Sequence, residues 1–170
     1  MMIDVFAEYI VKHKLGAKDV LIQIGTGILA IILTVVAFGL VAIPQLSFLT
    51  TLIIAGIWYG AYWLVKSRYI EFEYIMTNSA LDFDKITAKS KRKRILSLDL
   101  KEIEIFAPIN NDAYKNQITK IYDCTGDGKD GVYFIDFMGE RGRERVLFQP
   151  SQKILDFAYK FNQSKVLIEK

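Results

Sequence analysis

Residues 20–43 read VLIQIGTGILAIILTVVAFGLVAI and contain no charged residue. A helix of this length is about 36 Å long at about 1.5 Å per residue, enough to cross a hydrocarbon core of about 30 Å. A second uncharged stretch follows at residues 46–65, LSFLTTLIIAGIWYGAYWLV. The roughly 100 residues that follow it are too few to bury two such helices in a soluble core. The sequence therefore predicts a transmembrane hairpin over residues 20–65.

Basic residues flank the predicted hairpin on both sides. Lys12, Lys14 and Lys18 precede it, Lys66 and Arg68 follow it, and the short connection at Pro44 has no lysine or arginine. The positive-inside rule places both flanks in the cytoplasm, so we expect a multi-pass protein of the inner membrane with both termini cytoplasmic. The first helix is too long for the core of a cleaved signal peptide and is followed at once by a second span, so we interpret it as a retained anchor.

Residues 1–19 form a separate segment ahead of the hairpin. Its apolar residues fall at helical spacing, with charged residues on the opposite face; they are Ile3, Phe6, Ala7, Ile10 and Val11. We expect a cytoplasmic amphipathic helix, either at the headgroup level or packed on the domain that follows.

Residues 66–170 change from helical to alternating periodicity and form the predicted cytoplasmic domain. Glu71 and Glu73 alternate with apolar residues, as do Asp82 and Asp84, which is typical of the solvent-facing side of half-buried strands. Seven strands are predicted, at residues 69–77, 80–88, 92–98, 101–107, 117–124, 131–138 and 143–149. One amphipathic helix starts at Pro150 or Ser151 and closes the chain.

Seven antiparallel strands capped by a C-terminal helix resemble the pleckstrin-homology-like (PH-like) barrel. The run Tyr74–Asp82, a basic strand and Leu98–Ile103, placed directly after two spans, look like the bacterial membrane-attached PH-like proteins, and in particular a family with an N-terminal two-helix hairpin. Lys91–Arg94 and Glu104–Pro108 are the signatures that we expect for that family. The resemblance implies a transmembrane α-hairpin plus an all-β PH-like barrel, and no established reaction.

The run Lys89–Arg94, KSKRKR, is the strongest local charge feature. The first predicted strand leads away from the membrane and the second leads back, which places the basic turn near the inner leaflet. Each cation there would contribute on the order of 1 kcal/mol to docking on anionic headgroups. The alternative is a solvated edge strand protected from aggregation by its charges. The candidate lipid-surface contacts are Lys89, Lys91, Arg92, Lys93 and Arg94.

A second candidate contact lies within the hairpin. Gly56 and Gly60 match the small-xxx-small pattern of close helix packing, either within the hairpin or between two copies of the chain. Trp58, Tyr59 and Trp63 are typical of an interfacial aromatic belt.

Few catalytic chemistries fit this composition. The chain has 170 residues, one cysteine, one histidine and a formal net charge of +3, so we expect no disulfide, no multi-histidine metal site and no nucleic-acid binding. Asp123, Thr125, Asp127 and Gly128 match the first ligand positions of an EF-hand, but Phe134 stands where the bidentate glutamate belongs, which favours a polar hairpin turn. Cys124 is interpreted as an ordinary half-buried thiol.

We therefore expect a non-enzymatic interaction or scaffold protein at the cytoplasmic face of the membrane, with no cofactor and no metal. Its partner would be an unidentified protein or a second copy of the chain. The alternative is a sensor of acidic lipid or of a small ligand that uses the Lys89–Arg94 run.

Overall fold

The computed structural model describes residues 5–39, 47–126 and 130–168. These residues group into two compact units, one of Leu15–Tyr69 and the other of the chain before and after it. The predicted break at Pro44 and the EF-hand positions Asp127 and Gly128 lie outside the described residues.

The smaller unit consists of two helices, α1 (Ala17–Phe38) and α2 (Ser47–Lys66), which pack against each other. Both are long and apolar enough to cross a membrane, with mean hydropathies of 2.5 and 1.6. Gly16 is the N-cap residue of α1, and the backbone N–H of Gly16 donates a hydrogen bond to the Asp19 side chain at 3.2 Å. The two predicted helices are therefore present, and α1 starts three residues earlier than predicted.

The larger unit contains eight strands in two four-stranded sheets. Sheet A has the order β1-β2-β3-β4, and sheet B has the order β5-β7-β8-β6. The strands are β1 (Phe6–Lys12), β2 (Ile70–Thr77), β3 (Ala80–Thr87), β4 (Lys91–Asp99), β5 (Ile105–Pro108), β6 (Lys120–Asp123), β7 (Tyr133–Gly139) and β8 (Gly142–Phe148). The last helix, α3 (Gln152–Phe161), is capped by the Ser151 hydroxyl.

Three parts of the predicted fold are wrong. The described strands number eight and not seven, the two sheets do not close into a barrel, and β6 pairs with β8 in parallel. The turn after β6 is not a hairpin turn, because β6 and β7 are not neighbours. The predicted domain with β-sheets and a C-terminal helix is confirmed.

The additional strand is β1, which lies in the segment predicted as an amphipathic helix. β1 pairs antiparallel with β2 from Phe6 opposite Thr77 to Lys12 opposite Glu71. Ala7 is buried and Val11 packs on the core, while Phe6 and Ile10 point to the other face of the sheet. Because both faces of the strand carry apolar residues, the same sequence fits a helical period and an alternating one.

Seven of the 20 buried residues of the core cluster are aromatic, and several of them pack together between the two sheets. Phe148 lies at the centre, with ring centroids 5.1 Å from Phe83, 5.4 Å from Tyr74 and 5.3 Å from Phe106. The buried hydroxyl of Tyr74 donates to the backbone carbonyl of Cys124 at 2.6 Å. Such edge-on pairs with a satisfied hydroxyl fix the relative position of the sheets.

The order of elements makes α1 and α2 an insertion between two neighbouring strands. β1 precedes the helices, β2 follows them, and the backbone N–H of His13 donates to the carbonyl of Ile70 at 3.0 Å. The membrane-type hairpin thus occupies the position of the β1–β2 turn.

Replacing residues 14–69 by Asn-Gly between His13 and Ile70 is expected to give a soluble, folded domain. These two residues are already hydrogen-bonded as the last pair of a ladder, and Asn-Gly is the preferred two-residue hairpin turn. A fragment that starts at Ser67 lacks β1, exposes the β2 edge and leaves Tyr74 less covered, so we expect it to aggregate. Circular dichroism melting and amide NMR dispersion check both; equal cooperative melting of the two chains would contradict the role given to β1.

Candidate functional site

The basic run Lys89–Arg94 forms a turn and the first half of β4. Lys89 and Ala88 both adopt left-handed backbone conformations, with φ of 57° and 56°. Glycine or asparagine is favoured in this conformation, so the turn carries local strain. β4 is an edge strand of sheet A and, among the described strands, pairs with β3 alone.

The two arginines of the run are engaged by carboxylates on neighbouring strands. Arg92 Nη2 lies 2.8 Å from Glu73 Oε1. Arg94 bridges two acids, with Nη2 at 2.9 Å from Asp82 Oδ2 and Nε at 3.1 Å from Asp84 Oδ1. These contacts lie on the outer face of sheet A, so both arginines already have partners there.

The lysines of the run have no such partners. Within the described part of the chain no ion pair involves Lys89, Lys91 or Lys93, and all three are exposed. The alternation of β4 puts Lys91 and Lys93 on the face opposite to Arg92 and Arg94. The structure thus divides the candidate contacts into two paired arginines and three unpaired lysines.

Two carboxylates predicted to face solvent are buried. Glu73 is 1% exposed and Asp84 is 4% exposed, although both lie on the outer face of sheet A. They are Cα partners across β2 and β3, and Arg92 and Arg94 on β4 cover them. The expectation failed because alternation gives the face of a residue but not what its neighbours' long side chains cover.

Burial raises the pKa of Glu73, and the Arg92 guanidinium opposes that shift only in part. The carboxylates of Glu8 and Asp84 add to the increase in its pKa. One carboxylate oxygen of Glu73, Oε2, is buried without a hydrogen-bond partner. The folded protein therefore binds a proton at Glu73 more tightly than the unfolded chain does.

The substitution Glu73→Gln is expected to stabilise the protein at pH 7 and to have no such effect at pH 4. An acid with a raised folded-state pKa loses its contribution to stability as the pH rises from the unfolded value of 4.5 through the folded value. Glutamine keeps an acceptor for Arg92 and does not ionise. Melting temperatures of both proteins across that range measure the difference; a variant less stable than wild type at pH 7 would show that the Arg92 ion pair outweighs the burial cost.

Cys124 is fully buried, not half-buried as predicted. It is the free thiol of the chain and belongs to the core cluster between the sheets. Burial, aided by the charge of Asp123, raises its pKa to about 12. A thiol with so little thiolate is a poor nucleophile and a poor metal ligand.

Cys124 is expected to resist alkylation in the folded protein. With its pKa raised from 9.0 to about 12, roughly a thousandfold less thiolate is present at neutral pH than in an unfolded chain. Maleimide labelling followed by mass spectrometry, with and without denaturant, checks this. Rapid labelling of the native protein would mean that the site opens.

The start of the loop after β6 is held against β1. Asp123 Oδ1 accepts hydrogen bonds from the N–H and the hydroxyl of Thr125, at 3.0 and 2.7 Å. A Cβ on Gly126 would overlap the Val11 side chain and lie 2.8 Å from the Lys12 carbonyl oxygen. Glycine is needed here because the loop and β1 approach too closely for a side chain.

A buried arginine on sheet B is fully used by the fold. The Arg145 guanidinium donates to both oxygens of Asp136, at 2.6 and 2.8 Å, and to the carbonyls of Tyr114 and Ala113, at 2.6 and 3.2 Å. Its Cζ lies 4.5 Å from the ring centroid of Tyr114 and 4.4 Å from that of Phe134. The pair fixes the 3-10 helix Asp112–Lys115 to the outer face of sheet B and leaves little capacity for a ligand.

The described surface offers shallow cavities and no cluster of catalytic groups. The cavity beside β4 has a volume of about 220 Å³ and is lined in part by Leu96, Leu98 and Phe137. Two others, beside β1 and beside Thr119, have volumes of about 370 and 470 Å³ and are wide open to solvent, unlike the enclosed clefts typical of small-molecule sites. Among the described residues, no group of three or more histidine, cysteine, aspartate or glutamate side chains could hold a metal ion.

The glycines of α2 are not needed for packing within the hairpin. A Cβ built at Gly56 or Gly60 would meet no atom within 4 Å in the described structure. Gly56 is exposed on the helix surface.

The sequence comparisons agree with this architecture. A family model described as bacterial PH-like domain (DUF6106) matches residues 3–168, which include β1 and both apolar helices. Comparison with curated proteins and with solved structures gives no match. The expected kinship is confirmed, and the chain belongs to the bacterial PH-like domain family.

Proposed function

We propose that this protein is a non-enzymatic interaction module that a transmembrane hairpin holds at the cytoplasmic face of the inner membrane. The observation that carries the proposal is the insertion of α1 and α2 between the paired strands β1 and β2. Because both strands belong to one sheet, both ends of the hairpin emerge on the same side of a bilayer. The lysines and arginines at these ends favour the cytoplasmic side.

Both ends of the hairpin connect to neighbouring strands of sheet A, through four residues between β1 and α1 and three between α2 and β2. The free edge of β4 is the described strand edge that we propose for a partner; residues 165–167 already pair with the edge of β5, and β1 and β6 are the other outer strands. Strand edges bind extended segments through backbone hydrogen bonds.

The topology is tested by cysteine labelling of the full-length protein. Lys18→Cys and Ser67→Cys place thiols at the two flanks, and buried Cys124 gives little background. We expect an impermeant maleimide to label both positions in inverted inner-membrane vesicles and neither in intact spheroplasts. Labelling of either position from outside would overturn the proposed orientation.

The interaction role is tested by photo-crosslinking in native membranes. A photoreactive amino acid at Met138, which is exposed beside β4, is compared with one at exposed Lys115 on sheet B's far side. One recurrent stoichiometric protein product at position 138 and none at 115 is the expected result. Equal, diffuse products at both positions would contradict a docking surface at β4.

Self-association is a specific form of this role that the α2 glycines favour. Gly56→Leu would weaken a dimer that packs on this face, and Ala55→Leu is the matched control on an adjacent exposed position. Crosslinking in the native membrane measures the dimer fraction.

A second candidate function is the sensing of acidic lipid by the basic run. It is favoured by the three lysines, Lys89, Lys91 and Lys93, for which the described structure supplies no carboxylate. Lysines near an anionic surface attract it over about one Debye length.

A further inference from the structure

Three lysines share one face at one end of sheet A. Lys85 on β3 and Lys93 on β4 are Cα partners, and Lys91 lies two residues before Lys93 on the same face. Lys85 is also the Cα partner of Phe72, so this face continues the one that packs on the core. Lys85 stands outside the basic run of the sequence, and only the register brings it there.

These lysines repel one another in the folded chain. Like charges directly opposite on neighbouring strands destabilise a sheet. The acids that neutralise Arg92 and Arg94 lie on the other face, and within the described residues none of the three lysines forms an ion pair. An anion bound between Lys85 and Lys93 would remove this repulsion.

The end of the sheet that carries the lysines is the end joined to the helices. Thr87 pairs with Ile70, the first residue of β2, and with Lys91, the first residue of β4. The strained turn with Lys89 extends beyond that row. The chain leaves sheet A for the hairpin and returns to it at this end, after Lys12 of β1 and before Ile70 of β2.

We propose that Lys85, Lys91 and Lys93 form a binding site for the phosphate groups of anionic phospholipids. This rests on the second function proposed above and specifies its site. Ammonium groups bind phosphate as point charges without demanding one geometry, which suits general acidic lipid rather than a single headgroup. Arg92 and Arg94 do not take part, because Glu73, Asp82 and Asp84 already hold them. The hairpin makes docking an intramolecular event, so modest affinity is enough.

The test uses the full-length protein in nanodiscs of phosphatidylcholine alone or mixed with phosphatidylglycerol. A spin label at Ser90→Cys reports on the turn, and one at Ser79→Cys reports on the opposite end of sheet A. Lysine acylation, read by mass spectrometry, reports on each of the three lysines, with Lys115 as the internal reference. The variant Lys85→Gln/Lys91→Gln/Lys93→Gln is compared with Lys115→Gln/Lys153→Gln/Lys160→Gln, which removes the same charge elsewhere.

We expect phosphatidylglycerol to move the label at position 90 toward the bilayer and to slow acylation of the three lysines. Removing the three is expected to lower the docking constant roughly a hundredfold, while the control triple variant and the label at position 79 show little change. High salt should reverse the effect. The melting temperature of the lysine variant in phosphatidylcholine should equal or exceed that of wild type, because the repulsion between Lys85 and Lys93 is gone.

The unfavourable outcomes separate the site from the function. No response of the wild-type protein to phosphatidylglycerol would overturn lipid sensing as a whole. A response that survives in the lysine variant but is lost in Lys89→Gln would keep lipid sensing and overturn this site. Protection of the lysines by soluble glycerol phosphate, without a lipid effect, would assign the site to a free phosphate compound and overturn the lipid source.

Discussion

The pairing of β1 with β2 is the constraint on which the rest of the structure depends. It completes sheet A, buries Ala7 and supplies the surface against which the loop at Gly126 packs. It also joins two stretches of chain that the whole hairpin separates. The helical hairpin replaces a turn between β1 and β2, and sheet A is complete only when the chain on both sides of that hairpin meets.

The alternation of β4 gives one basic run two different roles. Arg92 and Arg94 face outward and cover Glu73 and Asp84, so these arginines belong to the structure of the sheet. Lys91 and Lys93 lie on the other face, where Lys93 is the Cα partner of Lys85. Arginine suits the first role because its planar fork can bridge two carboxylates, and lysine suits the second because its charge is not committed to one partner. The alternation of side chains along β4 thus places the arginines and the lysines of one basic run on opposite faces of the sheet.

The sequence predicts the parts of this fold that depend on local periodicity, and the errors occur where distant contacts decide. The apolar helices, the strands from β2 onward and the cap of α3 at Ser151 all follow from patterns within one segment. β1 was assigned the wrong period because Phe6 and Ile10 are apolar on the face that should be polar. The burial of Glu73, the parallel pairing of β6 and the approach of Lys85 to Lys93 each depend on the register between strands, which the pattern within one strand does not give. The sequence contained one indication of these contacts: Arg92 and Arg94 are two residues apart and follow two strands that carry acidic residues.

The inserted hairpin also bears on how the domain reaches its fold. β1 is synthesised before the helices and cannot pair until β2 follows, and Lys12 and Glu71 lie 59 positions apart. Closing a flexible loop of that length costs roughly 2.5–3 kcal/mol relative to the shortest loops, a substantial part of the stability of a small domain. Once α1 and α2 have formed and packed together, most of that loop is no longer flexible and its two ends need only short connections. Formation of the hairpin therefore lowers the entropic cost of pairing β1 with β2. We expect this pairing to follow the formation of the hairpin.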